Sequence, residues 1–423
     1  MVAQEHDARR AKKHTDFRLG SPEHRLFSWA VRKGIPEPGQ KHYSALQPKH
    51  SWGYKDFEGI LPTGYGAGTV KKLRENKILI TKASPDAIHF TTADVKYPER
   101  FALIKMKDDK DWLLINATPT DLPKYKKPKI KNIPSERIDT LINQMQEGDS
   151  FQAKIDGAHS LIKILRNGIE TTSYRTDVRD RPILHTERMF GRRDQELDLP
   201  KDLEGSVLRG ELYGEHDGET IPVQELGGLL NATIEKSLAD QKKKNINLRT
   251  ALFDVAQKGK EVVDPDKTFY PERREMLKDI LQYLPPNKFE LSDEATDPEQ
   301  AQQMWETIRT GQHPKTQEGI VYYPQKSRPI KSKIIDEYDV YIKDVFPGEG
   351  KYTGIGAGGI VYSRDPEPDK VVGRVGTGFS DELRKELWKN KQDYIGRVAR
   401  VKSQAAFPSG ALRAPSFISL HEG

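Results

Sequence analysis

Between Thr118 and Ser135 the chain carries Pro119, Pro123, Pro128 and Pro134 together with Lys124, Lys126, Lys127, Lys129 and Lys131, and no apolar period survives there. Proline removes a backbone donor and like charges repel, so neither a helix nor a sheet ladder is expected to run through this stretch. It predicts an extended linker over residues 119–135, with the chain folding separately on either side. Its lysines suit the tracking of a DNA backbone; a solvated basic tether is the alternative. At 423 residues the chain is long enough for two or three domains with cores of their own.

Charged residues make up 31% of the chain and hydrophobic ones 35%, with a formal charge of +6, a balance that suits a polyanionic partner. The absence of cysteine excludes disulfides, thiol catalysis and cysteine-ligated zinc, and fits a reducing compartment. With no signal-peptide pattern and no apolar run of bilayer length, a cytoplasmic location and no membrane partner are expected.

Residues 1–118 alternate short apolar runs, such as Phe101-Ala102-Leu103-Ile104 and Trp112-Leu113-Leu114-Ile115, with glycine and proline. The pattern predicts a small β-barrel. Strand alternation puts His14 and Asp16 on one face, where with a histidine from another strand they would hold a transition metal with positions open to phosphate. Scattered histidines that meet only water or phosphate are the competing reading.

Past the linker, Phe151-Gln152-Ala153-Lys154-Ile155-Asp156-Gly157 reads as a strand, a tight turn and a second strand, with Lys154 at a rigid edge. A lysine so placed can act as a nucleophile once its amine is neutral, with Asp156 as carboxylate partner for the ammonium form. An Asp-Gly hairpin turn accounts for the isolated motif equally well. Helices are predicted over 137–145, 271–284 and 298–309, and short strands around Ser173-Tyr174-Arg175, Val207–Leu212, Leu252–Val255, Glu318–Tyr323 and Ile330–Lys333. Each strand carries one polar or aromatic residue at a fixed place, over a domain spanning 136–334. Residues 338–423 read as five short strands with a helix near Asp381–Lys389, which suits an OB-fold. The glycines between Gly348 and Gly359 make tight turns, because no strand-loop-lysine pattern follows them.

The order of a lysine, an arginine, a glutamate after glycine, an aromatic, a second Glu-Gly strand and a Lys-x-Lys pair resembles the covalent nucleotidyltransferases. The N-terminal segments His6-Asp7-Ala8-Arg9-Arg10, Asp16-Phe17-Arg18-Leu19, Ser28-Trp29-Ala30-Val31, Asp56-Phe57-Glu58-Gly59 and Tyr65-Gly66-Ala67-Gly68-Thr69-Val70 resemble the 3′-phosphoesterase module of bacterial ligase D, the end-joining ligase. Leu412-Arg413-Ala414-Pro415-Ser416-Phe417 is similar to that family's closing motif.

The resemblance implies a multidomain α+β architecture: the barrel, a central nucleotidyltransferase (an ATP-grasp-like ligase core) with antiparallel sheets and helices, and the OB-fold. It implies an ATP-dependent DNA ligase that seals 5′-phosphate/3′-hydroxyl nicks or breaks through a lysyl-AMP on Lys154, in DNA repair or end joining. Gln152, Ile155, Asp156 and His159 would line the AMP, with Gln152 and His159 standing where the family has glutamate and arginine. Arg175 and Glu211 would contact ribose or the DNA end, and Phe253 would stack on adenine. Lys331 and Lys333 would bind the α-phosphate, Arg413 the pyrophosphate, and Glu318 and Glu211 magnesium. In the N-terminal module His6, His14 and Asp16 would hold manganese and Arg18, His50 and Tyr54 would face phosphate. A Ku-like end binder, a monomeric state and nucleoid association are also implied, as is a hinge from Lys333 to Tyr338. A capping guanylyltransferase, an RNA ligase and a DNA-end-binding protein with a degenerate N-terminal site are the alternatives.

Overall fold

The alternation of the N-terminal runs is written directly into burial: in the strand Asp111–Asn116, Trp112, Leu114 and Asn116 are buried and their neighbours half-buried. The computed structural model describes all residues except 122–123, 167, 178, 192–196, 368–370, 405, 407–408 and 422–423, so Pro123 of the linker lies outside the described residues. The N-terminal strands form one antiparallel ten-stranded path. In order it runs through Gly59–Leu61, Gly68–Glu75, Val2–Ala8, Lys12–Leu19, Leu26–Val31, Lys41–His50, Asp111–Asn116, Arg100–Lys105, Ala87–Thr92 and Ile78–Ser84. Phe17 meets Phe90 and Phe101 at ring separations of 6.0 and 6.2 Å, so strands far apart on the path share one core and the sheet is curled. Among the described residues no helix is long and apolar enough to cross a membrane.

Contacts group the chain differently from the domain limits read off the sequence. One compact unit joins 1–128, 155–293 and 325–327; the other joins 129–154, 294–324 and 328–423. In the first unit an eight-stranded sheet built on Ala158–Leu165, Gly168–Thr176, Val207–His216 and Asn247–Lys258 packs Ile162, Leu208 and Leu252 against Leu226, Leu230, Leu277 and Ile280. The helix Tyr270–Leu281 matches expectation, whereas Val223–Asn231 and Ile234–Lys244 were not anticipated. Gly227-Gly228 and the Lys242-Lys243-Lys244 run mask their apolar period.

The N-terminal sheet is part of this unit because Arg100 lies buried against the second sheet. Its Nε is 2.8 Å from Glu187 Oε1 and its Nη2 3.2 Å from Glu187 Oε2, it also pairs with Glu170, and Thr91 Oγ1 donates to Glu187 at 3.1 Å.

The linker is extended, as expected, but it is no solvated tether. Tyr125 packs with Leu161, Val207 and Ala256, and Arg209 Nη2 donates to the Lys126 carbonyl at 2.7 Å. Lys126 pairs with Asp264 at 2.8 Å, and Lys127 Nζ sits 3.4 Å from the Tyr174 ring centroid. A buried arginine and an aromatic row on the sheet supply partners that linker composition does not reveal.

In the second unit a five-stranded sheet runs Lys131–Asn132, Ile330–Lys333, Gly319–Tyr323, Ser150–Ala153, Glu294–Ala295. The helix Pro298–Arg309 starts as its sequence dictates, with Asp297 accepting from Gln300 N at 2.9 Å, and it buries Trp305 and Ile308 in a core with Phe151 and Ile320. The C-terminal sheet runs Gly373–Val375, Ala357–Ser363, Asp336–Pro347, Val398–Ser403, Ser416–Leu420, with a bridge from Thr377 to Ser416 linking its two ends. The helix Asp381–Lys389 falls where expected.

The strands flanking Lys154 correct the hairpin expectation. Ser150–Ala153 pairs with Gly319–Tyr323, and Ala158–Leu165 pairs with Gly168–Thr176 and Val207–His216. The two strands belong to different sheets, because each finds partners distant in sequence that outweigh the local turn signal of Asp156-Gly157.

Candidate functional site

The sheet register of the second unit gathers its charged residues around Lys154. Lys154 follows Ala153, which pairs with Ile320, and its N–H donates to the Gly319 carbonyl at 2.9 Å. Gly319 and Val321 pair in turn with Lys333 and Lys331. A Cβ on Gly319, whose φ is +147°, would fall 2.1 Å from the Ser332 carbonyl oxygen, so only glycine lets these strands approach.

The Glu318 carboxylate lies between two lysines: Lys154 Nζ donates to Oε2 at 2.5 Å and Lys333 Nζ pairs with Oε1 at 2.6 Å. Burial pushes the Glu318 carboxyl up, but the charges and hydrogen bonds of Lys154 and Lys333 outweigh it and hold it below the ordinary range. Lys331 is pushed down, first by burial and then by the charges of Lys154 and Lys333. Thr316, which sequence reasoning missed, fixes this geometry: its Oγ1 donates to the Lys154 carbonyl at 2.5 Å and accepts from Glu318 N at 2.9 Å. The Thr-x-Glu spacing is the signal that could have found it. Gln152, buried and two residues before Lys154, shares its face. Lys333 Nζ reaches Gln404 Oε1 at 3.3 Å, and Gln404 N donates to the Arg413 carbonyl at 3.2 Å, which brings the peptide of Arg413 to the lysine cluster.

In the first unit His159, Glu211 and Phe253 share one face of the eight-stranded sheet. His159 pairs with Glu211 across the strands. Arg209 pairs with Asp254 and Gly210 with Leu252, so Phe253 is an extra residue, a bulge that turns its ring to within 5.5 Å of His159. Tyr174, also missed, lies on the other side of His159, its ring centroid 4.4 Å away and tilted by 33°. Together the three rings make an aromatic platform. Arg175 is exposed near the end of its strand. A Cβ on Gly157 would meet the Leu212 carbonyl oxygen at 2.3 Å and Glu211 Cγ at 3.0 Å, which explains the glycine after Asp156. Ile155 is buried against Tyr213 and Ala251, so its side chain is core and only its backbone remains to meet a ligand.

The N-terminal residues converge as the strands predict. His6 pairs with His14 across Val2–Ala8 and Lys12–Leu19, and Asp16 lies two residues on along the same face. His6 Nε2 bonds the Gly66 carbonyl and His14 Nδ1 the Lys12 carbonyl, both at 2.8 Å. Carbonyls only accept, so these nitrogens carry the protons, and the lone pairs of His6 Nδ1 and His14 Nε2 face Asp16 oxygens at 3.3 and 3.4 Å. A proton added to His14 Nε2 would donate to Asp16, which raises the His14 pKa, and a bound metal would take that proton's place. Asp16 is pushed up by burial but held below its usual range by His14 and Arg18. Three lone-pair atoms within 4.8 Å of one another suit a transition metal of mixed nitrogen and oxygen preference. Arg18 Nη2 lies 2.9 Å from Asp16 Oδ2 and its guanidinium 4.9 Å over the Tyr54 ring, on which His50 stacks at 4.5 Å. Burial, and then Arg18, lower the His50 pKa.

These features define a chain with a lysine–carboxylate cluster and a phosphoesterase-like module. Residues 4–105 match the family model of the DNA ligase D 3′-phosphoesterase domain. The chain is similar along most of its length to the multifunctional non-homologous end joining protein LigD of Mycolicibacterium smegmatis, 28% identical over 426 residues covering 92% of this chain and 49% of that protein. A 69-residue stretch, 16% of this chain, is 46% identical to LigD of Pseudomonas aeruginosa and covers 8% of it. The chain thus spans about half the length of the first relative, or less in the second. A solved Lig E DNA ligase, described as binding DNA with a minimal scaffold, superposes with a TM-score of 0.45 at 16% identity, covering 72% of this chain and 99% of that one.

Proposed function

We propose that the protein is an ATP-dependent DNA ligase of the ligase D kind, with an N-terminal module that trims or grips 3′ ends. The observation that carries the reading is Glu318 held between Lys154 and Lys333 with Lys331 alongside. In the first step neutral Lys154 Nζ attacks the α-phosphorus of ATP; a nitrogen–phosphorus bond forms, the bond to pyrophosphate breaks, and the amine proton is released. A 5′-phosphate oxygen of DNA then takes the AMP, regenerating the lysine amine. A 3′-hydroxyl attacks the activated phosphate, AMP leaves, and the nick is closed.

Lys331 and Lys333 bind the α-phosphate, Phe253 stacks on adenine, Gln152, Asp156 and His159 line the AMP, Arg413 meets pyrophosphate, and Arg175 reads the DNA end. Glu318 and Glu211 are the groups to hold magnesium, which neutralises phosphate charge when bound. The N-terminal path is read as a barrel and the C-terminal sheet, with its ends linked through Thr377, as an OB-fold that covers DNA. A Ku-like partner, a monomeric state, a cytoplasmic nucleoid location and the hinge from Lys333 to Tyr338 complete the reading.

The test is incubation with α-labelled ATP and magnesium followed by denaturing electrophoresis. Wild type should retain label and Lys154→Ala should lose it entirely. An unlabelled wild type already stripped of bound AMP would leave DNA-end binding as the better description. Transfer of label to nicked DNA in preference to nicked RNA separates the DNA ligase from an RNA ligase.

His6, His14 and Asp16 are the groups to hold a divalent metal in the N-terminal module, with Arg18, His50 and Tyr54 set to receive a 3′-phosphate. Titration with manganese, followed by its electron paramagnetic resonance signal, should show a site whose affinity drops about tenfold or more in His14→Ala and in Asp16→Asn. Equal affinity in all three proteins would remove the metal assignment whatever the phosphoesterase assay shows.

A further inference from the structure

Arg100 packs the N-terminal sheet against Glu170 of the strand Gly168–Thr176 and Glu187 of the helix Thr186–Phe190, and beside this contact a cavity of about 290 Å³ opens along the seam. Arg74, Lys96 and Tyr97 line it from the N-terminal module; Asp177, Arg179 and Arg181 line it from the turn after Gly168–Thr176. Two of the four cations are committed: Arg74 pairs with Glu99 at 2.5 Å, and Arg181 grips Asp177 through Nε and Nη2 at 3.0 and 2.9 Å. Lys96 and Arg179 are exposed and carry no ion pair among the described residues. The pairs fix the cleft walls, and the two remaining cations leave it net positive.

We propose that this seam cleft is a binding site for the sugar–phosphate backbone of DNA, with Lys96 and Arg179 each neutralising a phosphate. The proposal rests on the DNA ligase reading and extends it. Three considerations favour a nucleic acid backbone over a small anion. The cleft is an open tract rather than a closed cage. Arg175, four residues before Arg179 on the same chain segment, is a further exposed cation close by in sequence. Its floor offers Tyr97, with Lys96 Nζ 5.3 Å from the ring centroid, so a base or sugar has an apolar surface to lie on while its phosphates meet the cations. Because the N-terminal module and the adenylate-platform sheet are one compact unit, a strand held at the seam would contact both without any rearrangement of either. The module is therefore a fixed extension of the DNA-binding surface.

The experiment compares nicked-duplex binding by the full chain across a salt series for wild type, Lys96→Gln/Arg179→Gln, and Lys107→Gln/Lys110→Gln, the last removing the same net charge from an exposed loop away from the cleft. Each lost phosphate contact reduces the slope of log K against log salt by about 0.9, so the seam variant should lose about two units of slope and bind at least about tenfold more weakly at 0.1 M salt. Lysyl-AMP formation should be unchanged. The loop variant should keep the wild-type slope. Equal slopes in wild type and the seam variant, or equal losses in both variants, would overturn the site. Failure of wild type to form lysyl-AMP or to bind nicked DNA would instead overturn the ligase reading, and is visible in the wild-type arm alone.

Discussion

Glu318→Gln is expected to slow lysyl-AMP formation about a hundred- to thousandfold. Two effects of the carboxylate compete, and their magnitudes decide the sign. As the ion-pair partner of Lys154 it holds the amine in a salt bridge that must open before attack, so its loss alone would speed attack. That pair involves a lysine side chain 23% exposed, and a partly solvated pair contributes about 1 kcal/mol or less. As the proposed holder of a divalent cation against the nucleotide phosphates it would support several kcal/mol of charge stabilisation. At about 1.36 kcal/mol per tenfold, losing about 4–5 kcal/mol against a gain of about 1 leaves a net cost of about 3–4 kcal/mol. The variant keeps the shape of the side chain and one acceptor oxygen, enough for a hydrogen bond from one of the two lysines, so its fold should survive. Single-turnover label transfer at saturating ATP and magnesium measures the effect. Faster transfer in the variant would identify Glu318 as a brake on Lys154 and remove it from metal binding.

The residues of the cluster around Lys154 were singled out in the sequence by their order, through the family resemblance, and strand geometry explains why that order brings them together. Lys154, Glu318, Lys331 and Lys333 all stand at strand ends or along one strand, where the two-residue period fixes which face a side chain takes. Strand alternation likewise put His14 and Asp16 on one face, while the resemblance named His6 as the histidine of the adjacent strand. What was hidden depends on pairing across long sequence distances. No local pattern shows that Ser150–Ala153 and Ala158–Leu165 enter different sheets, that a bulge aims Phe253 at His159, or that Tyr174 completes the aromatic row. The linker misled for the converse reason: its prolines and lysines describe what it cannot form with itself, whereas its partners, Arg209 and Tyr174, lie elsewhere. Arg100 was likewise unremarkable in sequence, an arginine at the start of an apolar strand.

Arg100→Met should destabilise the first unit by about 3–5 kcal/mol, because it leaves the Glu187 carboxylate buried without its partner. Both side chains are 1% exposed, so water does not replace the lost contacts. For a unit of this size the cost corresponds to a fall in melting temperature of about 10 °C. The pH dependence supplies the diagnostic. In wild type, burial pushes Glu187 up, but Arg100 outweighs it and the net shift is down. That pair therefore stabilises fully above the unfolded carboxylate value of about 4.3, and its contribution fades as pH falls through the folded value. In Arg100→Met burial is opposed only by the hydrogen bonds from Thr91 and from the Glu187 backbone, Glu187 leans toward its proton in the folded state, and the deficit is largest at neutral pH. The gap between variant and wild type should narrow as pH falls from about 7 to 5; a gap independent of pH would mean that lost packing, not a stranded charge, sets the cost. Arg100→Leu/Glu187→Leu should recover most of the loss, since two apolar side chains strand no charge. The form of the transition carries the structural consequence: if the curled N-terminal sheet and the aromatic-platform sheet share this contact as common core, tryptophan fluorescence from Trp29 and Trp112 and protection of the Val207–His216 strand must be lost together in the variant, whereas early loss of the fluorescence alone would make the module an independent domain that merely leans on its neighbour.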